Sequence, residues 1–405
     1  MDLKALAATA IFALTYFVLA LGRFPGLRID RTGAAVVGAA LMVAFGVLSP
    51  AQAYQAIDLD TIVLLFGMMI VASSLRISGF FGLVTAWVAR HVRRPAALLM
   101  AIVAASGVFS AFFVNDTICV VLTPLVCDVA LRLKRNPVPY VLAVAMASNI
   151  GSTATITGNP QNMLIGNASH IAYREFALAL APVAAAGLAI TVALLMALYR
   201  TEFGGASRLE AVEEKKRVIR PMLWKSVLVA VAMVGFFFAG QPVPKVAIIA
   251  GAVLLLTRRI KPERFYIHID FPLLVMFAGL FVVVAGIENT AWVQELLRGG
   301  AQFPLESAPV LTAVTAVLSN VVSNVPAVLM LRPFVTHFHD PRHAWLVLAM
   351  ASTLAGNFTI VASVANLIVV QRARQEGIEI SFWEYFRAGA PLTITTLTLG
   401  VVLLH

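Results

Sequence analysis

Between Val108 and Ile165, two polar clusters interrupt apolar runs long enough to cross a lipid bilayer. The first is Phe113-Val114-Asn115-Asp116-Thr117. The second begins at Ser148-Asn149, continues through Gly151-Ser152-Thr153 and Thr155, and ends in Gly158-Asn159-Pro160-Gln161-Asn162. An acid and several carboxamides at bilayer depth are costly unless they line a pathway. Gly151, Gly158 and Pro160 break helices, and unwound backbone at that depth survives only where it lines a cavity or is buried in protein. The two clusters therefore read as half of a transport site.

Composition enters next, to settle the class. The chain is 60% hydrophobic and 12% charged, far from the average soluble domain, and several apolar runs approach or exceed the length of a membrane span. The run Ala5 to Leu21 is preceded by Lys4 alone and reads as a span and not as a signal peptide. The net charge of +10 is a topology signal, with no nucleic-acid module to accompany it. Cys119 and Cys127 lie about 12 Å apart along a helix, too far for a disulfide, and read as apolar core.

Twelve apolar segments follow one another, at 5–22, 33–50, 61–80, 96–133, 139–166 and 176–199, then 224–240, 245–257, 271–288, 308–335, 344–370 and 388–404. The halves repeat. Asn115 and Asn324 are 209 residues apart, and Ser110/Ser319, Pro124/Pro333, Glu175/Glu384 and Pro182/Pro391 share that offset. Ala145-Met146-Ala147-Ser148 returns as Ala349-Met350-Ala351-Ser352 at an offset of 204, which also aligns Thr155 with Thr359 and Asn162 with Asn366. The expected organisation is a first repeat over 1–200, a cytoplasmic linker over 201–223 and a second repeat over 224–405.

Basic residues flank the 96–133 segment on both sides: Arg90, Arg93 and Arg94 before it, Arg132, Lys134 and Arg135 after it. Positive charge marks the cytoplasmic side, so this segment reads as a re-entrant hairpin with its tip near Asn115-Asp116. With 96–133 and 308–335 as hairpins, each repeat crosses the membrane five times and the second is inverted relative to the first. Both termini then lie outside the cytoplasm. The segments 139–166 and 344–370 become broken helices, and a site at the repeat interface near the midplane follows. The expected fold class is an all-α polytopic membrane protein with two inverted repeats, each of five transmembrane helices plus one re-entrant helical hairpin.

Asp116 is the one carboxylate at the centre of a segment. Burial penalises the charged form of an acid, so Asp116 can take up and release a proton as its surroundings alternate; capping a half-helix is the alternative role. Its counterpart is Val325, so the repeat is broken at this position. Asn115, Thr117, Ser148, Asn149, Ser152, Thr153, Thr155, Asn159 and Asn162 form a neutral polar lining. Asn320, Ser323, Asn324, Ser352, Thr353, Asn357, Thr359 and Asn366 mirror it. With broken-helix N-termini, such groups suit an oxyanion or a polyhydroxylated solute, while exposed carbonyls would hold Na⁺. Helix-to-helix hydrogen bonding is the structural alternative for each. His337, His339 and His343 with Asp340 lack regular zinc spacing and read as a solvated loop. No catalytic motif, metal site or cofactor is expected, and no enzymatic activity; the coupling ion is H⁺, with Na⁺ as the alternative.

Phe113-Val114-Asn115-Asp116 followed by Leu122-Thr123-Pro124 resembles the first hairpin of bacterial arsenite/antimonite efflux permeases. These belong to the ion transporter superfamily with the divalent anion/Na⁺ symporters and certain Na⁺/H⁺ antiporters. Gly158-Asn159-Pro160-Gln161-Asn162 is similar to the broken-helix signature of its anion permeases. The resemblance spans the chain in segment order. It implies a homodimer in the inner membrane, elevator-like movement of the hairpin-bearing part, and hairpin tips at Asn115-Asp116-Thr117 and Ser323-Asn324-Val325. A cytoplasmic ATPase subunit is a further partner the family allows. An acid at the first tip, where dicarboxylate members carry Ser-Asn-Thr, suits proton coupling. The expected function is export of arsenite or antimonite by proton antiport. The alternatives are another anion such as sulfate or a di- or tricarboxylate, Na⁺/H⁺ exchange, and a membrane scaffold without transport.

Overall fold

The computed structural model describes residues 3–22, 28–204, 218–258, 260–291, 293, 295 and 304–404. The first half contains α1 (Leu3–Leu21), α2 (Arg31–Ala44), α3 (Pro50–Ala56), α4 (Leu59–Ser78), α5 (Phe80–His91), α6 (Pro95–Phe112), α7 (Asn115–Arg132), α8 (Val138–Ser152), α9 (Pro160–Ser169), α10 (Tyr173–Leu198) and the single turn α11 (Arg200–Phe203). The second contains α12 (Arg220–Phe238), α13 (Val243–Leu255), α14 (Glu263–Tyr266), α15 (Phe271–Glu288), α16 (Ala308–Val322), α17 (Asn324–Val335), α18 (Pro341–Leu354), α19 (Val364–Gln375) and α20 (Phe382–Leu404). No strand occurs among the described residues. Seven helices among the described residues are long and apolar enough to cross a membrane, and the protein is an all-α polytopic membrane protein.

The breaks fall where the sequence places its polar clusters. Two residues, Phe113 and Val114, separate α6 from α7, and Ser323 alone separates α16 from α17. Ser323 sits at φ 77°, a left-handed conformation that few non-glycine residues adopt and that needs surrounding structure to hold it. The break between α8 and α9 covers Thr153 to Asn159, with Pro160 opening α9 where a missing N–H does no harm. Two 3₁₀ turns, Ala355–Asn357 and Ile360–Ala362, fill the corresponding gap between α18 and α19.

The two halves pack reciprocally. Helix α2 lies along α15, and α4 lies along α13. Where these helices meet, a Cβ on Gly67 would stand 2.6 Å from the Ala247 carbonyl carbon, and one on Gly279 would stand 2.7 Å from that of Ala35. Gly67 and Gly279 are 212 residues apart, as are Ala35 and Ala247. Each repeat thus contributes its glycine to one crossing and its alanine to the other. The same exchange recurs deeper in the molecule: α7 packs on α19 while α17 packs on α9, and α10 meets its own counterpart α20. A two-fold relation between the halves is the arrangement that generates such swapped pairs.

Some elements differ from the sequence reading. Residues 80–91 form a helix, α5, with Phe81, Thr85, Val88 and Ala89 buried; its Trp87, Arg90 and His91 hide that periodicity in a charged-looking stretch. The segment expected over 33–50 ends at Ala44, because Ser49 caps a separate short helix with Pro50 at its first position. The linker expected over 201–223 falls largely outside the described residues. Its described edges belong to α11 and α12, and Glu202 accepts hydrogen bonds from Arg135 Nε at 2.7 Å and Tyr140 OH at 2.9 Å.

Candidate functional site

Four helix N-termini converge. A cavity of about 200 Å³ is lined by Asn115 and Asp116 at the start of α7, Pro160 and Gln161 at the start of α9, Asn324 at the start of α17, and Ser363 and Val364 at the start of α19. Unsatisfied N–H groups and the partial positive charge of a helix dipole gather at each such end, so four of them around one space favour an anion or a ligand rich in oxygen. Arg31, the first residue of α2, also lines the space, its Nε donating to Leu19 O at 3.1 Å. Asp270 faces the same space and caps α15 by accepting from Leu273 N at 3.0 Å.

Both tips reach the cavity because each is tied to the break of its own repeat. Asn115 N donates to Gly158 O at 2.9 Å, and Thr155 Oγ1 donates to Ala111 O. In the second repeat Ser319 Oγ bonds Asn324 Oδ1 at 2.6 Å and Ser352 O at 3.0 Å, while Asn320 Nδ2 donates to Ala355 O at 3.2 Å. Asn115 Oδ1 is buried without a hydrogen-bond partner, although its Nδ2 donates to Asn149 Oδ1 at 3.0 Å. An unpaired acceptor beside a polar cavity is expensive unless a donor arrives.

The breaks themselves are held by carboxamides in matching positions. Asn162 Nδ2 donates to the carbonyls of Ser152 and Thr155 at 3.1 and 3.0 Å. Asn366 Nδ2 does the same to Gly356 and Thr359 at 2.6 and 3.0 Å. Across the interface Asn149 Nδ2 donates to Asn366 Oδ1 at 3.0 Å and to Asn357 Oδ1 at 2.9 Å. Thr353, the counterpart of Asn149, reaches Asn162 Oδ1 at 3.4 Å and accepts from Asn159 Nδ2 at 3.1 Å and Gln161 Nε2 at 3.2 Å.

Of the residues singled out from sequence, Asn115, Asp116, Ser323 and Asn324 therefore meet at the cavity. Ser148, Asn149, Ser152, Thr153, Thr155, Asn159, Asn162, Ser352, Asn357 and Asn366 are buried in the network behind it and do not line it. Thr359 and Asn320 are half-buried and also stand off the cavity. Ser148 Oγ instead contacts Cys119 Sγ at 2.9 Å. The reason is conformational: the unwound loops turn most of their polar groups inward to satisfy freed backbone carbonyls. Thr117 faces a second, wider cavity that shares Asp116 and Asp270 with the first. Cys119 and Cys127 are free, buried thiols. Asp340 caps α18 by accepting from His343 N at 3.0 Å, and no metal-binding group of side chains occurs among the described residues.

Gln161, in the second polar cluster of the sequence, also lines the cavity, whereas sequence reasoning missed Arg31, Asp270 and Ser363 there. Asp270 carried a usable signal, since Asp58 stands 212 residues before it and caps α4 in the same way.

Residues 14–355 match the family described as Citrate transporter. The chain belongs to this family. A silicon efflux transporter of Oryza sativa subsp. japonica is 29% identical, the match covering 99% of this chain and 98% of that protein. An uncharacterized transporter of Mycobacterium tuberculosis (strain CDC 1551 / Oshkosh) is 30% identical, with 98% of each chain covered. The solved structure of Neisseria gonorrhoeae MtrF, described with a class of antimetabolite efflux pumps, matches 100% of this chain and 94% of its own at 12% identity, with a TM-score of 0.64. That likeness concerns the fold. Together with the citrate transporter family match, the efflux relative makes the protein a multi-pass membrane transporter of a small anion or solute.

Proposed function

We propose that the protein is a secondary transporter of the inner membrane that exports a small hydroxide or oxyanion against proton influx, with arsenite and antimonite as the first cargoes. The carrying observation is the cavity where two tips and two broken helices meet, with Asp116 in the wall it shares with a wider opening. Asp116 carries the proton. The helix N-termini and the unpaired Asn115 Oδ1 hold the cargo, and the Asn/Ser/Thr network keeps the breaks in shape. Helix α6 is long enough to cross alone. Its reading as an arm of a re-entrant hairpin rests on the basic residues at both ends of the pair and on the tips sharing one cavity. The domain boundaries at 200 and 224, both termini outside, elevator movement, a homodimer and a role for the ATPase subunit belong to the same proposal, as does the absence of a cofactor and of enzymatic chemistry.

The test is metalloid uptake into inverted vesicles under an imposed pH gradient. Wild type should accumulate arsenite or antimonite and Asp116→Asn should not; equal transport by both ends the proton role. A second reading keeps the geometry and makes the cargo another anion, a sulfate or a di- or tricarboxylate, with H⁺ or Na⁺ as partner. Four converging N-termini beside Arg31 and membership of the citrate transporter family favour it. Sodium dependence of uptake separates the coupling ions.

A further inference from the structure

The wider cavity, about 470 Å³, is lined by Arg76, Asp116, Thr117, His268, Asp270 and Arg372 among others. Arg76 lies in the last turn of α4 and Arg372 in the last turn of α19, so the two guanidiniums come from different repeats. Both line the same opening. Neither makes an ion pair among the described residues, and Arg372 is held only by Gln375 Oε1 at 3.1 Å. Burial and the neighbouring Arg76 keep the His268 imidazole below its ordinary value, so at neutral pH it offers hydrogen bonds and no charge. Arginine near a helix C-terminus complements the dipole, which accounts for each residue singly. It does not account for two like charges turned into one opening. A purely structural arginine pair would be neutralised by carboxylates or would reach for lipid headgroups.

The two-fold relation supplies a comparison within the molecule. The counterparts of Arg76, His268 and Arg372 at the opposite end are Glu288, Ala56 and Ala168. The scaffold residues are shared between the halves, as Asp58 and Asp270 show, but the cations are not. Cations that make no ion pair concentrate anions beside them and speed their capture by tenfold or more, and the acids of this lining, Asp116 and Asp270, lie where it meets the smaller cavity.

We propose that this cavity is the loading mouth for an anionic cargo, drawn in by Arg76 and Arg372 from one face of the membrane only. The inference rests on the reading that cargo passes between the hairpin tips, and it selects ionised cargo, an oxyanion or a carboxylate, over a neutral hydroxide. The anion moves from the two guanidiniums past Asp116 and Asp270, the acids common to both cavities, to the four helix N-termini.

The experiment uses the full chain in proteoliposomes of one orientation, with citrate, sulfate and arsenite at pH 7.5 as probes. In Arg76→Gln/Arg372→Gln, KM for the transported anion should rise about tenfold from the arginine face. The maximal rate and the KM from the opposite face should stay within twofold. Raising salt should weaken uptake by wild type and leave the double variant unaffected. An unchanged KM, or an equal loss from both faces, overturns the proposal. Thermal unfolding in detergent gives an independent readout: the anion should stabilise wild type and lose that effect in the double variant. If no anion stabilises wild type and only arsenite is transported, the loading mouth is refuted while the transporter reading stands. If anions bind through the two arginines but nothing is transported, the transporter reading fails instead.

Discussion

Asn149 joins more parts of the molecule than any other side chain described above, so Asn149→Ala is the sharpest test of the packing. Its Oδ1 accepts from Asn115 Nδ2 at 3.0 Å and from Ser363 Oγ at 3.3 Å, and its Nδ2 donates to Asn357 at 2.9 Å and Asn366 at 3.0 Å. These bonds tie α7, α8, the second break and α19 together. Side-chain hydrogen bonds between membrane helices average about 0.6 kcal/mol, so four are worth roughly 2.4 kcal/mol. The alanine also strands the Oδ1 acceptors of Asn357 and Asn366 in the interior behind the cavity, each worth about 1–3 kcal/mol. A loss of about 4–8 kcal/mol is expected. Denaturant titration in mixed micelles, followed by tryptophan fluorescence, measures it. A double-mutant cycle with Asn357→Ala should show a coupling of about 1 kcal/mol. Destabilisation under about 1 kcal/mol, or strict additivity with Asn357→Ala, would mean that the carboxamide network does not hold the halves together.

Further outcomes follow from the packing and the loop contacts. Gly67→Ala and Gly279→Ala should each destabilise the protein by about 1–3 kcal/mol, the range for overpacking, and by similar amounts, because each Cβ meets backbone of the facing helix; unfolding of the two single variants checks both size and equality. Glu202→Gln should cost about 3 kcal/mol, since it removes the charge that pairs with the partly buried Arg135, measurable in the same titration. Glu175→Ala should change stability by under about 1 kcal/mol, because its pair with Arg342 is exposed.

Much of the architecture was legible in the chain because its determinants are local. Apolar length fixes where spans can be, and the polar tips and helix breakers fix where they stop; the offsets of 209 and 204 expose the duplication. Helix α5 escaped because its buried stripe is narrow, and the short capped helix at Pro50 because an apolar run conceals it.

The site was legible only in part. Sequence identified Asn115, Asp116, Ser323 and Asn324, which stand at breaks and have nowhere else to point. It could not separate the polar groups that line the cavity from those that brace it. Asn162 and Asn366 satisfy carbonyls of their own breaks, which only the folded turn brings within reach, and Asn149 spans the interface to a partner 217 residues away. Arg31, Asp270 and Ser363 sit at helix starts whose chemistry looks like ordinary capping until the opposite repeat closes over them. Tertiary pairing alone made a cavity of these ends, because the groups that face it are chosen by which neighbours satisfy the others.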